Sequence, residues 1–266
     1  MKREWQDVPR RVALGSFVAA RRAVGLHTVK TVLAGEHLTL EASSALEYSV
    51  ARTAYGEAET IQEVMDMLSS GGVLYDIGAN VGLYTLVAAK RGVHVVAFEP
   101  APANHASLRR NLAHNHLSSV HVIPLALGET RGRARFFTSG TDAASQINSL
   151  SGDVVARYGR SRRVIDIDIA RLDDTARDLP PPDVIKIDVE GAEGAVLRGA
   201  VQILREHGPV LSIELHPGAM DLFGDSQDGI LAFLHGLGYV TTVRQKTTRI
   251  QVTASPRRSE PPTGGG

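Results

Sequence analysis

Short apolar runs alternate with stretches of helical spacing along most of this chain. Val73, Leu74 and Tyr75 form one run that ends at Asp76, and residues 93–98 form another that ends at Glu99 and Pro100. Between them come a turn of small residues (Gly78, Ala79, Asn80, Val81, Gly82) and a helical pattern over 83–91. Apolar runs joined through a helix of this length imply parallel strands with right-handed crossovers. The rhythm continues with a helix over 102–117 that buries Leu108 and Leu112, and a third strand over 120–127. A fourth strand over 184–188, a helix over 191–207, a fifth strand over 209–215 and a helix over 229–237 follow. Residues 239–243 and 249–253 read as a terminal antiparallel hairpin. The sum is a Rossmann-like, doubly wound α/β sheet, mostly parallel.

Residues 1–70 read as an N-terminal extension. Its first 25 residues are rich in Arg and Ala and partly helical, 29–33 and 37–41 flank Gly35 as a hairpin, and 44–70 carry one helix ended by Gly71 and Gly72. Residues 71–253 form the core, and 254–266 read as a disordered tail of Pro, Ser and Gly. The least regular part is 130–182, with strands over 133–137 and 164–169 and a polar loop over 140–152 holding Ser145, Gln146 and Asn148. A loop of that length serves as a lid or binding loop, or is disordered. Arg157, Arg160, Arg162 and Arg163 make a basic cluster, read first as a solvated face and second as a grip for an acidic acceptor. Asp166 and Asp168 alternate as the polar side of a strand.

Composition narrows the classes. The chain has 266 residues, equal numbers of basic and acidic side chains and no cysteine. Zero net charge gives no global field toward nucleic acid or acidic membranes. Without cysteine there are no disulfides, thiolate metal sites or cysteine nucleophile. No apolar run approaches the ~18 residues needed to span a bilayer. Arg10 and Arg11 before residues 12–20 loosely resemble an export signal, but Arg21 and Arg22 stand where a small-residue cleavage site belongs. A solvated or packing helix is the reading preferred there, with a membrane-surface helix or a homodimer contact as alternatives.

The turn after the first core strand carries the chemistry. Glycines at 78 and 82 allow a sharp turn and close approach of a ligand. Glu99, about 20 residues on, suits a ribose diol. A dinucleotide fingerprint, however, needs G-x-G-x-x-G, and Asn80 stands in place of its second glycine. Asp76 would repel a pyrophosphate and suits a cationic ligand such as S-adenosylmethionine.

These residues resemble a known family. Residues 76–82 (DIGANVG) with Tyr84 and Thr85, then residues 97–100 (AFEP), resemble the FkbM-type S-adenosylmethionine-dependent methyltransferases. Residues 185–193 (IKIDVEGAE), 196–200 (VLRGA) and 213–216 (IELH) resemble its second block, so the likeness covers roughly residues 55–240. The resemblance implies a sheet of the class I methyltransferase type and S-adenosylmethionine as donor. It also implies O-methylation of a hydroxyl on a sugar or secondary metabolite, in the cytoplasm where that donor is made. The residues expected at the donor are Asp76, Gly78, Asn80, Gly82, Thr85, Glu99 and Asn104. Tyr55 and Glu57 become lid candidates, although an exposed Tyr and Glu at a helix start is the simpler reading.

Asp188, Glu190 and His216 are the candidate catalytic groups, with Asp188 nearest the switch point. Glu190 and Glu193 stand at a helix N-terminus, which favours negative charge and makes Glu193 equally a cap. Lys186 and Asp188 share a strand face and suit an ion pair. Asp188, Glu190, Glu214 and His216 fit either a magnesium site or a metal-free network. His105, His114 and His116 lack metal-ligand spacing and read as a solvated face. The competing classes are a nicotinamide-dependent oxidoreductase and a non-catalytic cofactor-binding partner.

Overall fold

The computed structural model describes residues 8–138, 148–153, 163–245 and 249–257. Ser145, Gln146, Arg157, Arg160, Arg162 and the side chains of Tyr55 and Asn148 lie outside the described residues.

Helix α1 (Val8–Ala23) leads into a hairpin, β1 (Thr28–Leu33) and β2 (Glu36–Glu41), in the place the alternation predicts. The helical pattern over 44–70 is two helices, α2 (Ala45–Thr53) and α3 (Ala58–Asp66). Ser44 and Glu47 close a capping box at the start of α2, each side chain bonding the other residue's amide. Ala54 then takes a left-handed conformation (φ 47°) that ends α2 and turns the chain before α3 begins.

The core continues with β3 (Val73–Ile77), α4 (Leu83–Lys90), β4 (His94–Phe98), α5 (Pro102–His114) and β5 (His121–Ile123). The run over 120–127 is not one strand. Pro124 offers no amide to a ladder, and the chain passes to β6 (Ala126–Leu127) in another sheet. There β6 pairs with β9 (Arg163–Ala170), and β9 with β7 (Gly132–Thr138), which also holds the short β8 (Asn148–Ser149). On β9, Asp166 and Asp168 are exposed and Ile167 is buried.

Helix α6 (Leu172–Thr175) precedes β10 (Val184–Ile187). The helix expected over 191–207 is broken into α7 (Glu193–Arg198) and α8 (Val201–His207), because the Gly199 carbonyl accepts from the Asp173 amide. Then come β11 (Val210–Leu215), α9 (Pro217–Met220), α10 (Gln227–Gly236), β12 (Tyr239–Gln245) and β13 (Ile250–Pro256). The last strand runs on into the stretch read as a tail.

Among the described residues the main sheet has the order β12-β13-β11-β10-β3-β4-β5, parallel except where β13 pairs antiparallel with β11 and β12. Every residue of β3 is buried, as expected of a strand covered on both faces. One face packs Leu74 against Leu86, Leu108, Ile61 and the extension's Leu38 and Val50. The other packs Tyr75, Ile77, Phe98 and Ile185 against Leu204, Ile230 and Val252. The order reverses at β3, where the crossovers to β4 and β10 leave in opposite directions and a ligand crevice opens.

Candidate active site

The turn after β3 is built on the end of β4. The amides of Gly78 and Ala79 both donate to the Phe98 carbonyl at 3.0 Å. A Cβ at Gly78 would stand 1.9 Å from the Asp188 carbonyl, so only glycine lets this turn close over the end of β10. Asn80 sits at φ 54°, a conformation Asn tolerates, and its amide donates to Glu99 Oε2 at 2.7 Å. The Ala101 amide donates to Glu99 Oε1 at 2.8 Å, which fixes the carboxylate. Burial pushes the Glu99 carboxyl up to about 7 against those two amides.

These groups line a cavity of about 390 Å³ at the carboxyl ends of the strands. Its β4 side is apolar, with Pro100, Leu125, Leu127, Phe136 and Leu150 beside Asn104. Its β10 and β11 side is charged, with Lys186, Asp188, Glu190 and His216, joined by Glu57 and Arg249. The Asn80 side-chain oxygen is buried without a hydrogen-bond partner among the described residues. A donor on a ligand would satisfy it.

Three residues expected at a cofactor, Asp76, Gly82 and Thr85, do not line the cavity. Strand register explains Asp76: it lies beside Lys186 of β10, and its Oδ1 is 3.3 Å from Lys186 Nζ. Its Oδ2 accepts from the Thr85 hydroxyl at 2.7 Å. Lys186 in turn donates to the Gly78 carbonyl at 2.9 Å and stands 3.8 Å from Asp188. Asp76 and Thr85 therefore hold the lysine and the turn from beneath. Gly82 begins α4 against Leu108.

The expected catalytic groups are brought together around His216. Its Nδ1–H donates to Glu193 Oε1 at 2.9 Å, which directs Nε2 toward Glu214 at 3.4 Å and toward Asp188 and Glu190, both at 3.7 Å. Burial disfavours a charged imidazole, but the bonds to Glu193 and Glu214 and the charges of Glu190 and Asp188 outweigh it and lift the pKa to about 12. These neighbours favour the imidazolium form of His216 over the neutral ring that a base would need. Burial raises Glu190 to about 8, against the opposing charge of His216. Burial likewise raises Asp188, against the opposing charge of Lys186. Glu214 moves the other way: burial is overcome by hydrogen bonds from His216 and Arg249, which bring it down to about 2. Glu190 itself adopts φ 55°, strain of the kind that clusters at functional sites. Asp188, Glu214 and His216 each offer an atom within 4.8 Å of the others, a spacing that suits a divalent cation only with His216 as a neutral imidazole bound through Nε2.

Sequence reasoning passed over Arg249 and offered Glu57 only as a lid candidate, behind a simpler reading. The simpler reading of Glu57 as an exposed residue does not hold, since it lines the cavity and lies 3.5 Å from Arg249. Phe136 and Leu150 come from the irregular region, where nothing in the local pattern marks them. His114 is not simply solvated, because it reaches Glu41 on β2 at 3.3 Å.

Residues 76–241 match the family model described as Methyltransferase FkbM domain. The chain is 27% identical over 175 residues to the hexuronic acid methyltransferase AglP of Haloferax volcanii, covering 61% of this chain and 64% of that protein. It is 30% identical over 205 residues to the 31-O-demethyl-FK506 methyltransferase FkbM of Streptomyces tacrolimicus, covering 67% of this chain and 76% of that one. The chain spans 64%, 61% and 57% of the length of three curated relatives that it matches. The crystal structure of Methyltransferase FkbM from Methylobacillus flagellatus aligns with a TM-score of 0.46 at 20% identity, covering 93% of this chain and 60% of that one. A family match that extends over more than half of the chain, from the end of β3 to the start of β12, makes this protein a member of the FkbM methyltransferase family.

Proposed function

We propose that the protein transfers a methyl group from S-adenosylmethionine to a hydroxyl of a sugar or secondary metabolite. The observation that carries this reading is the polarity change along one cavity: an apolar wall at Leu125, Phe136 and Leu150, a fixed carboxylate at Glu99, and a charged end at Asp188 and His216. That sequence suits a base, a ribose diol and a sulfonium in turn. The names of the FK506 and hexuronic acid relatives support an oxygen acceptor on a metabolite or sugar.

Methyl transfer is an in-line displacement, so alignment supplies most of the catalysis, on the order of 7–11 kcal/mol. In this reading Asp188, under the Gly78 turn, would take the proton of the acceptor hydroxyl as the carbon–oxygen bond forms and the methyl–sulfur bond breaks, with the neutral thioether of S-adenosylhomocysteine as leaving group. Burial raises its proton affinity, which favours that step. His216, held cationic, orients Asp188 and Glu190 and offsets their charge. The test is incubation of the protein with S-adenosylmethionine and a panel of hydroxylated metabolites, with mass spectrometry for a gain of about one methylene unit and with magnesium present or withheld. Formation of a methylated product supports the reading. Calorimetric binding of NAD, with none of S-adenosylhomocysteine, would overturn it.

A further inference from the structure

The donor's amino-acid end carries an ammonium and a carboxylate, and the acid expected to meet the ammonium is not accessible. Asp76 is fully buried and does not line the cavity: its Oδ2 accepts from Thr85, and its Oδ1, 3.3 Å from Lys186 Nζ, makes no hydrogen bond among the described residues. The carboxylates that do line the cavity are Glu57, Glu99, Asp188 and Glu190. Glu99 is taken by the amides of Asn80 and Ala101. Asp188 and Glu190 face His216. Glu57 remains.

Its local structure aims it inward. Left-handed turns at Ala54 (φ 47°) and Gly56 (φ 77°) reverse the chain between α2 and α3. Glu57 is then the N-cap residue of α3, yet its side chain makes no capping bond. A carboxylate at a helix start ordinarily serves the free amides there. This one extends into the cavity wall toward Arg249 and keeps only 13% of its side-chain surface exposed. Lys186 lines the same cavity with its Nζ 5.0 Å from the centre of the Tyr84 ring, and its charge acts on Glu57. One anion and one cation beside a shared aromatic wall match a zwitterion.

We propose that Glu57, supplied by the N-terminal extension, binds the α-ammonium of the methyl donor, with Lys186 receiving the α-carboxylate. This rests on the methyl-donor reading above. Calorimetry with two probes separates the two claims: S-adenosylhomocysteine, and 5′-methylthioadenosine, which keeps the adenosine and sulfur but lacks the amino-acid end. Wild type should prefer the first probe strongly. Glu57→Gln should lose about 10–100-fold for S-adenosylhomocysteine and less than about 3-fold for methylthioadenosine, as expected when one charge-assisted bond is removed. Unchanged S-adenosylhomocysteine binding by the variant, or an equal loss for both probes, would overturn the proposal and leave Glu57 as a structural partner of Arg249. A homocysteine nucleoside lacking only the α-amino group tests wild type directly, whatever the variant's folding. It should bind no better than methylthioadenosine, and binding as tight as S-adenosylhomocysteine would also overturn the assignment. If wild type binds neither S-adenosylhomocysteine nor methylthioadenosine, it is the methyl-donor reading that fails.

Discussion

Glu193 Oε1 holds two donors at once, His216 Nδ1 at 2.9 Å and the Gly191 amide at 3.0 Å. The residue is fully buried, so this carboxylate joins the start of α7 to the residue after β11 and sets the direction of the imidazole. Replacing it with Gln keeps an acceptor but removes the charge that supports imidazolium. In Glu193→Gln the His216 ring should lose its proton at lower pH, as followed by NMR, and methyl transfer should fall about 10–100-fold, the usual scale for a group that orients another. S-adenosylhomocysteine affinity should change little. An imidazole that titrates as in wild type would show that Glu193 does not control it.

Asp188→Asn keeps shape and removes the proposed base. Loss of a positioned base costs typically about 10²–10⁴-fold. The turnover rate should fall within that range, while KM for the acceptor and affinity for S-adenosylhomocysteine stay within a few-fold. A fall confined to KM would make Asp188 a binding group.

Glu190 has the opposite pH signature from an ion-paired carboxylate. Burial holds its folded pKa at about 8, above the ordinary 4.5. Between those values the folded chain keeps a proton that the unfolded chain has lost, so stability falls as pH rises through the window and the cost is complete above about 8. Glu57 and Glu99, raised by burial to about 7, act in the same direction. His216 adds to it: its contribution is whole below 6.5 and declines as pH climbs toward 12. The unliganded protein should therefore melt lower at pH 8.5 than at pH 5.5. Glu190→Gln should flatten that slope, melting about 2–4 °C above wild type at pH 8.5 for each ~1 kcal/mol relieved, and near wild type at pH 5. Parallel melting curves for the two proteins would refute it.

The strand-and-helix rhythm was legible because parallel strands buried on both faces read as apolar runs, and β3, β4, β10 and β11 lie where those runs fall. The grouping of Asp188, Glu190 and His216 was legible too, since all follow strand ends at one edge of the sheet. The roles were less so. Asp76 reads as a ligand until register sets it beside Lys186, a relation between strands more than a hundred residues apart in sequence. The helix breaks at Ala54 and Gly199 depend on a left-handed alanine and on a carbonyl claimed by Asp173, neither of which changes the apolar spacing. Glu57 was named as a lid candidate but read more simply as exposed, because its direction is set by that first break.

A last residue, also silent in sequence, ties the extension to the turn after β3. Asn111 on α5 accepts from the Glu41 amide at 2.7 Å and donates to the Val81 carbonyl at 2.9 Å. Asn115, one turn on, accepts from the Thr39 amide at 2.9 Å and donates to the Thr39 carbonyl at 2.7 Å. Both side chains are buried, so α5 completes the edge of β2 where a strand would otherwise be needed. Leucine at either site fills similar space but leaves a buried amide and carbonyl with a lost partner, at about 1–3 kcal/mol each. Asn111→Leu and Asn115→Leu should each lower the melting temperature by several degrees. Only Asn111 reaches Val81, which lines the cavity. Asn111→Leu should therefore also weaken S-adenosylhomocysteine binding, whereas Asn115→Leu should leave it near wild type. Equal effects on binding would mean that the turn after β3 takes its shape from Glu99 and Phe98 alone, and that the extension contributes stability without shaping the site.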